Sequence, residues 1–363
     1  MSVINFIKKY NVPNSFRNQK IINTFDLKIN EVIKEYDVNI DIENKDWNIG
    51  CIVGSSGTGK TTILNELFNN DKYYIFNGFN WDNKKSILDN FNENINLDDI
   101  IKILSSIGFN TPVNWLLPYN LLSNGQKMRV DLARCILEKK NRIIVFDEFT
   151  SVVDRQVAQC CCICLSKYIR NNNLKVIFVS CHFDILDYLE QDWIFNTNDM
   201  SFKYGRSARQ EKRFTIKRGN IENWKYFKGY YYLSSDICKN SKVFELYDNE
   251  KIIGFCAVLH LPNKNKNYKR IHRIVILPDY QGLGLGTRFL NEIAKYYYNL
   301  GYEMFIETSN ISFIFSLNKN VNWILKDIRQ VSKNSLGNLG KIKNCIYDRL
   351  RKIVSFKYIN KSN

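Results

Sequence analysis

Two glycine-rich segments of different kinds occur in one chain of 363 residues. The first, residues 54–61 (GSSGTGKT), follows a short apolar run and fits the pattern G-x-x-x-x-G-K-[ST], in which successive backbone N–H groups surround the phosphates of a nucleotide. The second, residues 281–286 (QGLGLG), lies about 220 residues later and lacks both the lysine and the hydroxyl. The chain is therefore predicted to join a nucleotide-binding domain to a domain that holds a different phosphorylated cofactor.

The first segment predicts a site for ATP and Mg²⁺. Lys60 is expected to reach the β- and γ-phosphates, and the Thr61 hydroxyl is expected to bind Mg²⁺. The residues of this segment that we expect to contact the nucleotide are Gly54, Gly57, Gly59, Lys60, Thr61 and Thr62.

Apolar runs predict an α/β fold for the first half of the chain. Residues 50–53, 142–147 and 174–180 are short and rich in β-branched side chains, as buried parallel strands are. From residue 243 onward the pattern changes to hairpins, with a turn signal at residues 248–249. We predict a parallel-sheet domain over residues 1–200 and an α+β domain over residues 207–363.

The positive charge of the chain is confined to its second half. Residues 1–200 carry 22 Lys and Arg against 24 Asp and Glu, and residues 201–363 carry 30 against 12. This asymmetry predicts a polyanionic partner for the second domain, for which nucleic acid is the preferred interpretation. A solubilising surface combined with a site for an anionic cofactor is the alternative.

Further motifs in the first half resemble those of the ABC-type ATPases, and the resemblance covers roughly residues 20–195. Residues 122–129 (LSNGQKMR) are similar to the signature loop, and residues 143–148 (IIVFDE) to a Walker B strand. Asp154 resembles the D-loop aspartate, and His182 resembles the switch histidine. The sequence departs from the family at Asn124, which replaces a glycine, and it has no glutamine between Thr61 and Leu122.

The resemblance implies a set of roles for these residues. Asp147 is expected to bind Mg²⁺ through water, Glu148 to polarise the attacking water, and His182 to sense the γ-phosphate. Asp154, Ser123 and Gly125 are expected to contact nucleotide, the last two across an interface with a second copy. The chain is therefore expected to form an ATP-dependent homodimer. No uninterrupted apolar stretch approaches about 20 residues, so we expect neither a membrane span nor a transport role.

Residues 243–307 read as strand, strand, helix and strand around the second glycine-rich segment. This arrangement resembles the GNAT acyltransferase family, in which such a loop binds the pyrophosphate of acetyl-CoA at a helix N-terminus. Gln281, Gly282, Gly284 and Gly286 are the implied loop residues, and the backbone near Ile276 is expected to meet the pantetheine arm. The whole chain resembles soluble ABC-ATPase–acetyltransferase fusions, and it has a weaker likeness to Mom-type enzymes that modify adenine in phage DNA.

Catalysis in the second domain is poorly determined by the sequence. His272 is a candidate base, and a structural role for it is equally open. Residues 230–232 (YYY) suit base stacking or an ordinary core. Thr308 and Ser309 end a strand near the expected acceptor. Four cysteines at 160, 161, 162 and 164 are too close together for a standard zinc site, and we expect them to be small buried residues.

These observations predict a cytoplasmic enzyme that couples ATP hydrolysis to acetyl-CoA-dependent acyl transfer onto nucleic acid. Two alternatives stay open: a nucleic-acid-binding ATPase whose GNAT-like module is not catalytic, and an acetyltransferase acting on a small molecule or a protein. The two phosphate sites lie in separate predicted domains, and we expect their cofactor contacts to be independent.

Overall fold

The computed structural model describes residues 2–29, 31–151, 153–208, 211–231, 236–263, 266–330 and 352–361. The strands of these residues are, in chain order, β1 Ser2–Asn11, β2 Glu31–Ile40, β3 Ile49–Val53, β4 Tyr73–Phe76, β5 Ile143–Phe146, β6 Val176–Ser180, β7 Trp193–Asn196, β8 Ser201–Tyr204, β9 Thr215–Arg218, β10 Lys242–Asp248, β11 Lys251–Asn263, β12 Lys266–Ile276, β13 Glu303–Thr308, β14 Trp323–Gln330 and β15 Lys352–Tyr358. The α-helices are α1 Phe16–Thr24, α2 Lys60–Leu67, α3 Leu97–Ser106, α4 Pro112–Trp115, α5 Asn124–Glu138, α6 Arg155–Asn171, α7 Leu186–Leu189, α8 Trp224–Phe227, α9 Leu285–Asn299 and α10 Ile311–Asn318.

The chain divides into two compact units that do not follow the order of the sequence. The first unit contains residues 1–80 and 131–210, and the second contains residues 81–130 and 211–363. Residues 81–130 therefore pack with the C-terminal part of the chain, although they lie inside the predicted N-terminal domain. The predicted limits 1–200 and 207–363 stay a prediction for the domains as folding units.

The first unit is built on a six-stranded sheet in the order β4-β5-β6-β3-β7-β8. Its first five strands are parallel, and β8 runs antiparallel to β7. Strands β3, β5 and β6 are buried along their whole length, because helices or strands cover both of their faces. This confirms the parallel-sheet core that the β-branched runs predict. An antiparallel pair, β1 with β2, also belongs to this unit.

The core of the first unit joins this sheet to β2 and α2. Val38 and Ile40 of β2 pack in one cluster with Ile63 of α2 and with Val145 and Ile177 of the sheet. Alternate residues of β2 are buried at its second half, as expected for a strand with one covered face.

Helix α6 of the first unit carries the four clustered cysteines. Cys160, Cys161, Cys162 and Cys164 are all buried. Burial raises the pKa of the Cys162 thiol well above its ordinary value, because the thiolate loses its hydration. These side chains therefore act as small apolar residues of the helix, as the sequence predicts.

The second unit is built on a seven-stranded sheet in the order β14-β15-β13-β12-β11-β10-β9. Only β12 and β13 pair in parallel, and helix α9 connects them. The predicted hairpin is β10 with β11, and the predicted closing strand is β15, which pairs with both β13 and β14. The α+β class predicted for this part of the chain is confirmed.

Apolar side chains cover the sheet of the second unit on opposite faces. Trp224 and Phe227 of α8 pack on Phe255 and Val275. Helix α9 contributes Phe289, Leu290, Ile293 and Tyr297, all buried. Among the described residues, no helix is long and apolar enough to cross a membrane.

Candidate functional site

The carboxyl ends of neighbouring parallel strands meet at one edge of the first sheet. Strand β6 lies between β3 and β5, and Val53 at the end of β3 pairs with Ser180 at the end of β6. Residues that follow these strands therefore lie at the same edge, which is the usual ligand side of an open parallel sheet. They are the predicted phosphate loop, the pair Asp147–Glu148 and His182.

The phosphate loop needs glycine at two positions. Gly57 and Gly59 have φ angles of 82° and 92°, in the left-handed region that favours glycine. A Cβ at Gly59 would also lie 2.4 Å from a ring carbon of Tyr36. Gly59 is the N-cap of α2. The backbone N–H groups of the loop therefore lie next to the free N–H groups of the first turn of that helix.

Lys60 lies over the loop that precedes it. Its Nζ donates to the carbonyl oxygens of Gly54, at 2.7 Å, and Ser55, at 2.8 Å. Two residues that follow strand β7, which the sequence analysis missed, also contact the loop. Asn198 Oδ1 accepts from Ser55 N at 2.9 Å, and Thr197 Oγ1 lies 2.6 Å from the hydroxyl of Thr58.

The two predicted magnesium ligands are in direct contact. Thr61 Oγ1 donates to Asp147 Oδ2 at 2.8 Å, although the residues are 86 positions apart in the chain. A hydroxyl and a carboxylate are the hard oxygen ligands that Mg²⁺ prefers, so the residues present fit this ion. Thr62 follows on α2 as predicted.

Glu148 has an unusual backbone and an exposed side chain. Its φ is 51°, and its N–H donates to Asp147 Oδ1 at 2.8 Å. A non-glycine residue in this conformation is uncommon and costs about 1–3 kcal/mol, which the surrounding fold must offset. The turn aims Asp147 toward Thr61 and leaves the Glu148 carboxylate open to solvent.

Asp154 and His182 are placed less specifically. Asp154 is the N-cap of α6, and its carboxylate accepts from the backbone N–H of Gln156 and Val157. His182 follows β6, is half-buried, and donates its backbone N–H to Ser180 Oγ. Their predicted contacts to nucleotide stay predictions.

The predicted signature loop begins helix α5 and belongs to the second unit. Ser123 N–H donates to the Gln126 side chain at 3.0 Å, and Gln126 N–H lies 3.4 Å from Ser123 Oγ. This reciprocal pair is a capping box, which fixes the first turn of the helix. Ser123 is exposed and Gly125 is half-buried, so the helix N-terminus with its positive dipole end is open to solvent.

The second glycine-rich loop connects β12 to α9 as predicted. Gly282 and Gly284 have φ angles of 85° and 75°, and Gly284 is the N-cap of α9. A Cβ on Gly286 would lie 3.0 Å from the ring of Phe313. Gln281 Nε2 donates to the carbonyl of Ile276 at 3.0 Å, so this side chain closes the loop onto the end of the strand. The loop thus has the backbone of an anion site at a helix N-terminus.

Strands β12 and β13 diverge next to this loop. Their parallel pairing runs from Tyr268 with Glu303 to Ile271 with Ile306, and β12 continues to Ile276. At the same point β12 has a bulge opposite Ala257 and Val258, which makes His272 the extra residue. A bulge bends its strand, so the sheet opens where the acyl chain of a thioester is expected to enter.

A cavity of about 530 Å³ occupies this opening. It is lined by the end of β12, the glycine-rich loop, the end of β13, and residues of the segment 81–130. The candidate residues of the second domain that line it are those associated with acyl transfer, His272, Ile276, Gln281, Gly282, Gly284, Gly286, Thr308 and Ser309, and two of the tyrosines suited to base stacking or a core, Tyr230 and Tyr231. Tyr232 lies outside the described residues.

The predicted base His272 is a weak one. Burial, and then the charges of Arg273 and Arg270, lower its pKa to about 4, so the imidazole is neutral near pH 7. Its Nε2 accepts from the backbone N–H of Cys238 at 3.3 Å. Its role as base stays a prediction, and these contacts favour the structural alternative.

Glu307 also lines the cavity, with its charge already paired. It accepts from Arg329 at 2.6 Å and from Arg270 at 3.3 Å. The two guanidinium groups satisfy the carboxylate, and of the two arginines Arg270 also lines the cavity.

The structure thus defines a class of protein with two phosphate-binding loops. One loop lies beside the hydroxyl–carboxylate pair of Thr61 and Asp147, which suits Mg²⁺. The other lies beside the point where strands β12 and β13 diverge. The comparison with protein families bears on the second of these loops. Residues 210–313 match the model of the acetyltransferase (GNAT) family, so this part of the chain is a GNAT acetyltransferase domain. A search of the curated proteins found no significant match.

Solved structures resemble each part of the chain separately. A dimeric ATP-binding cassette, MJ0796 with ADP and Pi, is 19% identical over 55% of this chain and 97% of its own, with a TM-score of 0.40. The cassette cbiO1 from Clostridium perfringens is 17% identical over 53% and 84%, with a TM-score of 0.37. A Bacillus subtilis acetyltransferase in complex with CoA is 16% identical over 40% and 98%, with a TM-score of 0.33.

Proposed function

We propose that this protein is an ABC-type ATPase whose cycle is coupled to acetyl-CoA-dependent acyl transfer onto a nucleic acid. The observation that carries the proposal is the presence of two phosphate-binding loops in different chemical settings. One has a lysine and a hydroxyl–carboxylate pair, and the other opens onto a cavity in a GNAT domain.

The contacts of the first loop support ATP hydrolysis. Lys60 and the N-terminus of α2 supply positive charge for the phosphates, and Thr61 and Asp147 would hold Mg²⁺. Mg²⁺, when bound, neutralises charge on the phosphate oxygens. Glu148, exposed beside this pair, would take a proton from the attacking water. Ser123 and Gly125 of a second copy would complete the site, so we expect an ATP-dependent dimer.

The second loop and the divergent strands support acyl transfer. The thioester carbonyl would lie between β12 and β13, with the pyrophosphate on the loop 281–286. An acceptor amine attacks that carbonyl, a C–N bond forms, and the C–S bond breaks. The proton lost by the amine goes to the CoA thiolate, so the reaction needs no further reactant.

The charge of the second half supports a nucleic acid as acceptor. A second cavity of about 600 Å³ has Arg218, Lys239, Lys242 and Lys269 in its wall. Burial, and then the charges of Lys242 and Arg218, lower the pKa of Lys269. Crowded cations favour an anion between them, because it reduces their mutual repulsion.

Tyrosine rings beside these cations suit the bases of a single strand. Lys269 Nζ lies 4.6 Å from the ring centre of Tyr302, and Tyr296 in the same wall is partly exposed. Base stacking on aromatic side chains contributes about 1–3 kcal/mol per base. Strand β12 carries Lys269 to this cavity and His272 to the other, so one strand links the polyanion site to the acyl site.

The proposal is tested with the full-length protein, because residues 81–130 belong to the same unit as the GNAT domain. Purified protein is incubated with radiolabelled acetyl-CoA, with or without ATP and Mg²⁺, and with single-stranded DNA, duplex DNA, RNA, a polyamine or a basic peptide. We expect the label to be transferred to a nucleic acid, and we expect this transfer to require ATP. Label on the polyamine or peptide alone would support the small-molecule or protein acceptor instead.

Binding is measured separately from chemistry. The logarithm of the affinity for single-stranded DNA and RNA should fall linearly with the logarithm of salt concentration, and Lys269→Met should reduce the slope by about one unit. Lys295→Met removes one charge from the exposed face of α9 and serves as the control. Binding that changes with neither salt nor Lys269 would contradict the nucleic-acid proposal. Salt-dependent binding without label transfer would support a non-catalytic GNAT module.

A further inference from the structure

A buried arginine connects the segment of the signature loop to the second glycine-rich loop. Arg129 of α5 is 1% exposed. Its Nη1 donates to the carbonyl oxygens of Pro278, at 2.8 Å, and Gly108, at 3.1 Å, and its Nη2 donates to that of Asp279 at 2.9 Å. A buried guanidinium is costly unless its N–H groups are bonded. Here those bonds fix the turn that leads into residues 281–286.

A second contact joins the same segment to the loop itself. Gly108 has a φ of 88°, and a Cβ there would lie 2.3 Å from the carbonyl oxygen of Gln281. Asn110 N–H donates to Gln281 Oε1 at 3.2 Å, while the amide of Gln281 donates to Ile276. Gln281 therefore bridges the segment 81–130 to the end of β12, and its position depends on both.

Residues of this segment also line the cavity of about 530 Å³ between the ends of β12 and β13, which we call the acyl-CoA cavity. Ser105, Asn110, Thr111 and Pro112 line it opposite the GNAT strands. Ser312 of α10 holds this wall in place, because its hydroxyl bonds Ser105 Oγ at 3.1 Å and Asn110 Oδ1 at 3.4 Å.

The signature loop is at the start of the helix that carries Arg129. Ser123 caps helix α5 and Arg129 lies six residues further along the chain, which corresponds to about 9 Å along the helix axis. The capping box of Ser123 and Gln126 fixes the first turn of this helix. A displacement of the signature loop that moves this helix as a rigid body would therefore also move the guanidinium of Arg129.

We propose that the segment 81–130 couples ATP binding to acyl-CoA binding, with Arg129 as the positioning residue that holds the Pro278–Asp279 turn. The coupling rests on the proposed function, since both ligands must bind. In this proposal both ligands favour the same arrangement of the segment, so the ligand that binds first increases the affinity for the second. By linkage, ATP and acetyl-CoA raise the affinity for each other by the same factor.

The experiment is a pair of calorimetric titrations on full-length Glu148→Gln, which is expected to bind ATP without turnover. Acetyl-CoA is titrated with and without saturating ATP and Mg²⁺, and ATP is titrated with and without acetyl-CoA. We expect an equal increase in both affinities of about fivefold or more. In Arg129→Lys on the same background, we expect the factor to fall to near one. Lysine keeps the charge but cannot make the forked contacts.

The control is Arg134→Lys on the same helix, where the guanidinium pairs with Glu138 at 2.9 Å instead. Arg134→Lys should leave the coupling factor between ATP and acetyl-CoA unchanged. Hydrogen exchange of the amides of residues 279–286, in the protein that keeps Arg129, provides a measurement that does not depend on the folding of the Arg129 variant. ATP should slow that exchange.

The outcomes separate the two proposals. If either ligand fails to bind alone, the proposed function and the coupling both fall. If both ligands bind, but the coupling factor is one and ATP leaves the exchange of amides 279–286 unchanged, only the coupling is overturned. If the coupling persists in Arg129→Lys, the assignment to Arg129 is wrong.

Discussion

The two glycine-rich loops share a backbone plan and differ in their surroundings. Each follows a β-strand and has an N-cap glycine with a positive φ, Gly59 in one and Gly284 in the other. The first adds Lys60 and the Thr61–Asp147 pair within its own unit. The second has no such charge within the loop, and its turn is held by Arg129 and Asn110 from a distant segment. The difference separates a loop built to stabilise developing charge from one built to hold a cofactor.

The largest effect should come from the carboxylate beside the first loop. Glu148→Gln removes the proton acceptor and keeps the shape of the side chain. We expect ATP hydrolysis to fall by about 10²- to 10⁴-fold. With ATP bound and not hydrolysed, sedimentation velocity should show a dimer. A variant that stays monomeric at saturating ATP would contradict the shared-site interpretation of Ser123 and Gly125.

Lys60→Ala should have the next largest effect, and it tests whether charge distinguishes the loops. Loss of a preorganised donor to the phosphates should slow hydrolysis by about 10²- to 10³-fold. Acetyl-CoA affinity measured without ATP should stay unchanged, because Lys60 contacts only its own loop in the described structure. The ATP-induced change in that affinity should be lost. Weaker acetyl-CoA binding without ATP would contradict separate cofactor contacts.

Gly284→Val tests the second loop in the same way. A β-branched side chain at a φ of 75° costs about 1–2 kcal/mol and places atoms where the pyrophosphate approaches the backbone. Acetyl-CoA affinity should fall about tenfold or more, with ATP hydrolysis retained. Gly301→Val is the matched control, since Gly301 has a φ of 82°, lies in open space and follows α9 at its other end. Equal loss in both variants would point to strain alone.

The smallest effect is expected at His272. Its pKa of about 4 lies below the ordinary 6.5, so the folded protein binds fewer protons than the unfolded chain between these values. The free energy of unfolding should therefore decrease as pH falls from about 6.5 toward 4, and His272→Gln should reduce this decrease. Acyl transfer in His272→Gln should fall less than tenfold. A larger loss, with a pH profile that follows His272, would instead establish it as the base.

The sequence by itself determined the features that depend on residues close together in the chain. Successive N–H groups, a lysine and a hydroxyl must be close in the chain to surround one phosphate, so residues 54–61 were recognisable as a string. Buried parallel strands are equally local, because coverage on both faces demands a continuous apolar run. The strands at 49–53, 143–146 and 176–180 follow the predicted positions within two residues.

Only the tertiary structure decided which residues that are far apart in the chain contact each other. The bonds of Arg129 to the second loop span 149 and 150 residues, and Asn110 to Gln281 spans 171. A single buried arginine or a backbone N–H leaves no periodic signal, so residues 81–130 could not be assigned to the second unit from sequence. The bulge at His272 was equally invisible, since it depends on the register between β11 and β12. The sequence specifies each loop through neighbouring residues, whereas the support of the second loop arises from contacts that only folding brings together.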